Sequence, residues 1–187
     1  IITWSPCGTR IAYVHNYGST IEIVDQRRGP FLNNWSAHDE NIITDLKYSP
    51  NGRFLISSGD DCVVKLWDTT GNCEQIQAWN MPEEVINQNQ ALTDYSEFSI
   101  SACSKYIVVP VGTCVFLTNV ENGGTIKSSI LPFAPNVHIA HTTTRFSSDG
   151  RAVFICSNFK HYDIAAIKVW RHYLDDDDED CLITLWR

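Results

Sequence analysis

Positive charge is scarce in this chain: 14 Lys and Arg stand against 22 Asp and Glu in 187 residues, a formal net charge of -8. A phosphate-binding surface needs clustered Lys and Arg, so nucleic-acid binding is disfavoured, with Arg27-Arg28 and Lys160-His161 the only small basic spots. Long apolar runs are missing as well. No stretch reaches the length needed to cross a bilayer and no secretory signal is present, so a soluble protein without membrane contact is expected. There is no Gly-rich phosphate loop and no dinucleotide fingerprint, hence no expected cofactor. Metal-ligand spacing is absent too. His138 and His141 fall on a predicted strand, where alternation sends the two side chains to opposite faces. The seven cysteines form no C-x-x-C pair and are odd in number. That usage suits small buried hydrophobes in a reducing compartment, which implies an intracellular protein, cytoplasmic or nuclear and eukaryotic.

What the sequence does contain is a repeat. Trp4-Ser5-Pro6-Cys7-Gly8 precedes the apolar run Ile11 to Val14; Tyr48-Ser49-Pro50-Asn51-Gly52 precedes Phe54 to Ser57; Phe146-Ser147-Ser148-Asp149-Gly150 precedes Ala152 to Cys156. Each copy is an aromatic, a polar turn ending in Gly, and a strand. Pro presets φ, Asn or Asp bonds its own backbone, and Gly accepts positive φ, so two antiparallel strands can be joined. A second apolar run follows each copy: Thr20 to Asp25, Cys62 to Asp68, Ala165 to Trp170. A divergent copy lies between them, from Phe98 through Tyr106 to Val109 and Cys114 to Asn119. There Ala102-Cys103 replaces the Pro-Asn turn, and Asn119 stands where Trp67 stands in the second copy.

The spaced elements Ala37-His38, Tyr48-Ser49-Pro50-Asn51-Gly52, Ser57-Ser58-Gly59-Asp60-Asp61 and Leu66-Trp67-Asp68 together resemble one nearly complete WD repeat. The resemblance implies an all-β fold: a β-propeller built of four-stranded antiparallel WD-type blades, about four of them present. The blades are expected at approximately 1–35, 36–79, 94–131 and 136–187, with a long polar loop at 80–93. Ile1-Ile2-Thr3-Trp4 reads as mid-strand material, and such propellers usually close with seven blades. The remaining blades are therefore expected in a longer parent chain or in a second chain, because bare apolar blade faces invite association.

Ser57, His38 and Asp61 are the residue types of an acyl-transfer triad. The resemblance implies another use. In WD repeats the matching His, Ser and Asp join the strand Trp, here Trp67, in a structural hydrogen-bond network, and no nucleophile elbow accompanies them. No catalytic residue is therefore assigned, and the protein is expected not to be an enzyme. Two departures are visible: Cys62 replaces the Gly usual after Asp61, and the other three copies lack the full set.

Function is expected on the loops of one rim, where a rigid scaffold leaves side chains free to vary. The partner-binding candidates are Asp39 and Glu40 in the loop Ser36 to Asn41, Tyr17 in Asn16 to Ser19, and Phe159 and Tyr162 in Phe159 to Asp163. The acidic run Asp175 to Asp180 reads as a solvated loop, alternatively as a patch for a basic partner. Val24-Asp25-Gln26-Arg27 is faintly similar to the Trp-Asp-x-Arg box that docks some WD proteins onto cullin adaptors, with Val24 in place of the aromatic; a solvated strand end is the preferred reading. The leading function is a non-catalytic protein–protein interaction scaffold, a WD-repeat subunit or domain of a multiprotein assembly with other proteins as partners. The alternative is a propeller accompanying a hydrolase or peptidase in a longer chain, because Trp4 to Val14 also looks like the repeats of peptidase-associated propellers.

Overall fold

The structure is a computed structural model that describes residues 1–15, 18–27, 29–61, 63–80, 95–111, 114–130, 139–159, 164–171 and 180–186. Among these residues there is no helix. The chain divides into two compact units, Ile1–Asn80 and Met81–Arg187.

The first unit holds two four-stranded antiparallel sheets in simple meander order. One consists of β1 (Ile2–Trp4), β2 (Arg10–Val14), β3 (Thr20–Asp25) and β4 (Gly29–Ser36). The other consists of β5 (Ile43–Tyr48), β6 (Phe54–Gly59), β7 (Val63–Asp68) and β8 (Glu74–Asn80). Strand β3 follows strict alternation: Ile21, Ile23 and Asp25 are buried, whereas Thr20, Glu22 and Val24 are half-buried. Strand β6 is different. Phe54, Leu55, Ile56, Ser57 and Ser58 are all buried, so it is covered on both faces.

Residues of both sheets share one core: Ala12, Val14, Ile21 and Ile23 pack with Ile43, Leu46, Tyr48, Leu55 and Trp67, and Trp35 leans on Trp67 at 5.4 Å between ring centroids. Each fully buried Ile or Leu contributes about 1.5–3 kcal/mol. Polar clasps add direction to that packing. Arg10 Nη1 donates to the Thr69 carbonyl at 3.1 Å, and Asn33 Nδ2 donates to the Gly71 carbonyl at 3.2 Å.

The second unit has β9 (Tyr95–Glu97), β10 (Ser99–Ile100), β11 (Tyr106–Val111), β12 (Cys114–Asn119), β13 (Thr125–Ile130), β14 (Ile139–Phe146), β15 (Ala152–Phe159), β16 (Ile164–Arg171) and β17 (Asp180–Trp186). One sheet runs β10-β11-β12-β13 and the other β17-β16-β15-β14-β9. The extended stretch from Tyr95 to Ile100 is thus shared between two sheets. Tyr95, Ser96 and Glu97 pair parallel with His141, Thr142 and Thr143, whereas Ser99 and Ile100 pair with Val108 and Ile107. Its backbone is bonded by β14 on one side of Phe98 and by β11 on the other. The sequence pattern alone assigns the whole stretch to the third blade. Thr144 Oγ1, within 3.3 Å of the Val108 carbonyl and 3.1 Å of the Glu97 carbonyl, ties the two sheets together over a core of Val108, Val115, Leu117, Val153 and Ile155.

All four sheets join their first two antiparallel meander strands by the same turn. A serine opens it (Ser5, Ser49, Ser101, Ser147), and its carbonyl accepts the N–H of the third residue on at 2.8 or 2.9 Å. Its Oγ accepts the N–H of the fifth residue on at 2.9 or 3.0 Å. The residue between carries a left-handed backbone: Gly8, Gly52 and Gly150, and in the divergent copy Ser104 at φ 60°. The third turn therefore persists without the Pro, Asn and Gly of its signature. The serine supplies the hydrogen bonds that hold it, and Ser104 bears a left-handed conformation that costs an L-residue roughly 1–2 kcal/mol.

Candidate functional site

The loop from Ser36 to Asn41 leads out of β4 into β5, and His38 folds inward from it. His38 Nδ1 lies 2.9 Å from Asp61 Oδ2 and 3.1 Å from Oδ1, and its Nε2 lies 2.8 Å from Ser57 Oγ. Trp67 Nε1 donates to the same Ser57 oxygen at 3.0 Å. All four side chains predicted to form a network therefore meet. One proton arrangement satisfies every group: Nδ1–H donates to the Asp61 carboxylate, the Ser57 hydroxyl donates to Nε2, and the indole donates to Ser57. His38 and Ser57 are both 0% exposed. The Ser57 hydroxyl and the His38 ring are thus both shut off from solvent.

Burial pushes the Asp61 carboxyl up. The hydrogen bond from His38, the Val63 amide and the Lys65 ammonium outweigh that effect, so its pKa lies below the ordinary value. Two contributors lie outside the sequence-predicted set. A methyl group at Gly59 would stand 2.5 Å from Asp61 Oδ1 and 2.6 Å from His38 Nδ1, so only glycine leaves room for the pair. Lys65 Nζ donates to the Ala37 carbonyl at 2.7 Å and so ties the loop to β7. The signal for Gly59 was its place two residues before Asp61 at the end of a strand; nothing in the sequence marks Lys65.

The loop tip is held from below and open above. Asn41 N–H donates to the His38 carbonyl at 2.6 Å, Asp60 Oδ1 accepts the Ile42 N–H at 2.7 Å, and Ala37 N–H donates to the Ser19 carbonyl at 2.7 Å. Asp39 and Glu40 are exposed and both carry positive φ, 24° and 66°. Tyr17, Tyr162, His138, Cys62 and the acidic residues 175–179 lie outside the described residues. Phe159 closes β15 opposite Ile139, with its side chain outside the description, and Asp180 opens β17. His141 pairs with Asn158 and Tyr95 within its sheet. Among the described residues no three His, Cys, Asp or Glu are grouped as metal ligands. Asp25, read from sequence as a solvated strand end, turns inward: it is 7% exposed, 3.7 Å from Arg10 Nε, and accepts the Arg27 N–H at 2.8 Å.

These geometries are those of a repeat protein built of four-stranded antiparallel blades, one of which is anchored by the buried network of His38, Ser57, Asp61 and Trp67. The family model for the WD domain, G-beta repeat, matches residues 29–68, which run from β4 to the end of β7 and contain the whole network. The WD repeat-containing protein 89 homolog of Dictyostelium discoideum is 32% identical over 108 residues, 57% of this chain and 26% of that protein. WD repeat-containing protein 36 of Homo sapiens is 33% identical over 54 residues, 29% of this chain and 6% of that protein. The β-propeller domain of Cps50 (Swd1) from Myceliophteria thermophila superposes with a TM-score of 0.66 over 98% of this chain and 57% of that one; at 13% identity the likeness shows the fold alone. Residues 29–68 thus match a WD repeat, and the chain as a whole is similar to β-propeller structures. It spans only part of the length of the relatives it matches. WD-repeat propellers serve in general as scaffolds for protein interaction.

Proposed function

We propose that this chain is a non-catalytic interaction scaffold within a multiprotein assembly, and that the loop Ser36 to Asn41 forms part of its binding rim. The observation that carries the reading is the contrast within three consecutive residues. His38 is completely buried and fully hydrogen-bonded, whereas Asp39 and Glu40 next to it are exposed and held in left-handed backbone. A buried polar network of this kind rigidifies what it holds. A pre-ordered acidic tip binds a basic partner with less loss of freedom than a mobile loop does. In this reading the His38, Ser57, Asp61 and Trp67 network is structural. Tyr17, Phe159 and Tyr162 are the further rim candidates. The WD-repeat relatives favour this reading over a propeller attached to a hydrolase. The odd number of cysteines and their scatter without C-x-x-C spacing favour an intracellular setting, cytoplasmic or nuclear.

The test is cross-linked affinity capture with three forms of the protein: unaltered, Asp39→Ala/Glu40→Ala, and Tyr17→Ala/Phe159→Ala/Tyr162→Ala. Specific partners lost from folded variants would support the rim. Partners retained by both variants would remove the rim from the proposal, and capture of none by the unaltered chain would count against the scaffold itself.

A further inference from the structure

The recurring turn does more than connect strands. Its third residue sits where the opening serine hydroxyl and the backbone N–H two positions on converge. In the fourth sheet that residue is Asp149: Ser147 Oγ donates to its Oδ1 at 2.6 Å and the Arg151 N–H does so at 3.0 Å. Those two bonds hold its carboxyl below the ordinary range. In the second sheet Asn51 accepts the same pair, from Ser49 Oγ at 2.6 Å and the Arg53 N–H at 3.0 Å. In the first and third sheets the same position holds a cysteine, Cys7 and Cys103, so the fold places a thiol where it elsewhere supports a carboxylate. Cys7 Sγ lies 3.4 Å from Ser5 Oγ and 2.9 Å from Thr9 Oγ1. Cys103 Sγ lies 3.3 Å from Ser101 Oγ. Hydrogen bonds from Ser5 and then Thr9 pull the Cys7 thiol down to about 7. At Cys103 burial pulls upward and is outweighed by Ser101 and the Lys105 amide, so that thiol is also lowered.

Cys7 borders a cleft. It is exposed and opens onto a half-open cavity of about 350 Å³ within the first unit, between the turns of β1–β2, β3–β4 and β5–β6. That volume is within the range of small-ligand pockets. Arg10, Arg27, Asp25 and Asn51 line it. The Asp25 carboxylate is already engaged by Arg10 and the Arg27 amide, and the exposed Arg27 guanidinium has no partner among the described residues. A buried hydroxyl lies near two of the residues that line it, Cys7 and Arg10. The Tyr48 hydroxyl is buried, in a residue 8% exposed, without a hydrogen-bond partner among the described residues, and is close enough to Arg10, Cys73 and Cys7 for their charges to act on it.

We propose that this cleft is a thiol-modification site, in which Cys7 exchanges with a small disulfide that carries carboxylates, of the glutathione type, and Arg27 with Arg10 receives those carboxylates. The Cys7 thiolate attacks one sulfur of the disulfide. A new bond forms between Cys7 Sγ and that sulfur, the original S–S bond breaks, and the second half leaves as a thiolate with the electron pair. Cys7 is thereby oxidised, and the departing half is reduced. The adduct occupies the face that carries the strand-joining turns, away from the loop of Asp39 and Glu40.

Cys103 is the internal standard, since it occupies the same turn position. Oxidised glutathione at neutral pH, followed by peptide mass spectrometry of initial rates at both cysteines, reads the anionic probe; iodoacetamide reads thiol reactivity without charge. The ratio of Cys7 to Cys103 modification is expected to be several-fold, up to about tenfold, higher with glutathione disulfide than with iodoacetamide. Arg27→Ala should abolish that excess while leaving the iodoacetamide rate of Cys7 unchanged, and Cys7→Ser should remove the adduct at this position. Equal ratios for the two probes, or an excess untouched by Arg27→Ala, overturn the assignment of the cleft. Absence of a glutathione adduct at Cys7 overturns it outright.

Discussion

His38 Nδ1 lies 2.9 Å from Asp61 Oδ2, and the pair occupies the space that a side chain at Gly59 would need. One residue from a loop and one from the turn after β6 are thereby locked together over a strand end. The imidazole has no exposed surface, so its removal takes a buried hydrogen-bond partner from both Asp61 and Ser57, while the Trp67 indole keeps only Ser57. His38→Ala should cost roughly 1–3 kcal/mol of stability, measured by urea unfolding. An unchanged midpoint would dismiss the network as a stabilising element.

Gly59→Ala should be comparably damaging for a different reason, because the added methyl group would meet Asp61 Oδ1 at 2.5 Å and His38 Nδ1 at 2.6 Å. Overpacking of this kind costs about 1–3 kcal/mol. In the His38→Ala background much of that clash disappears. The two costs should add to less than their sum, and a double-mutant cycle reads the difference. Strict additivity would mean that the methyl group is accommodated elsewhere.

Acid should weaken the fold in a definite window. Asp61, Asp68 and Asp149 all have carboxyls held below their ordinary value: Asp61 and Asp68 because hydrogen bonds and neighbouring cations outweigh burial, Asp149 through Ser147 and the Arg151 amide. In the unfolded chain these groups take up protons near pH 4, before the folded groups do. Their stabilisation is thus present above about pH 5 and is lost as pH falls through the folded values. Urea midpoints between pH 7 and pH 3 should decline, and Asp61→Asn should flatten the decline.

Tyr48 sets the alkaline limit. Burial pushes its hydroxyl up to about 12, and the hydroxyl has no hydrogen-bond partner among the described residues. The unfolded phenol ionises near pH 10. Stability contributed by the neutral folded form is complete below that value and is lost as pH rises through the folded one. Tyr48→Phe should be neutral or stabilising by about 1 kcal/mol at pH 7, and should reduce the loss of stability above pH 10. A variant clearly less stable at pH 7 would show that the hydroxyl is bonded after all.

Much of this molecule was legible as pattern. Alternation in Thr20 to Asp25 and the Ser-Pro-Asn-Gly turn at Ser49 are local matters of pleat and φ, so the strands and their hairpins follow from neighbouring residues. The trio His38, Ser57 and Asp61 was legible only through resemblance, since 23 positions separate its ends. Ser104 was not legible at all. No residue preference reveals that a serine at φ 60° completes a turn whose hydrogen bonds come from Ser101.

By itself, then, the sequence determined the all-β class, the repeat and the identity of the network residues, because these depend on side-chain periodicity and turn chemistry that act within a few residues. The tertiary structure decided which groups face water and which face each other. It turned Asp25 inward to Arg10 and divided the run Tyr95 to Ile100 between β14 and β11. It also required a glycine at 59 and set Cys7 beside Arg27 in a cleft made by turns of two sheets. Those outcomes depend on sheets packing across tens of residues, where backbone hydrogen bonding and excluded volume, not local preference, select the neighbours.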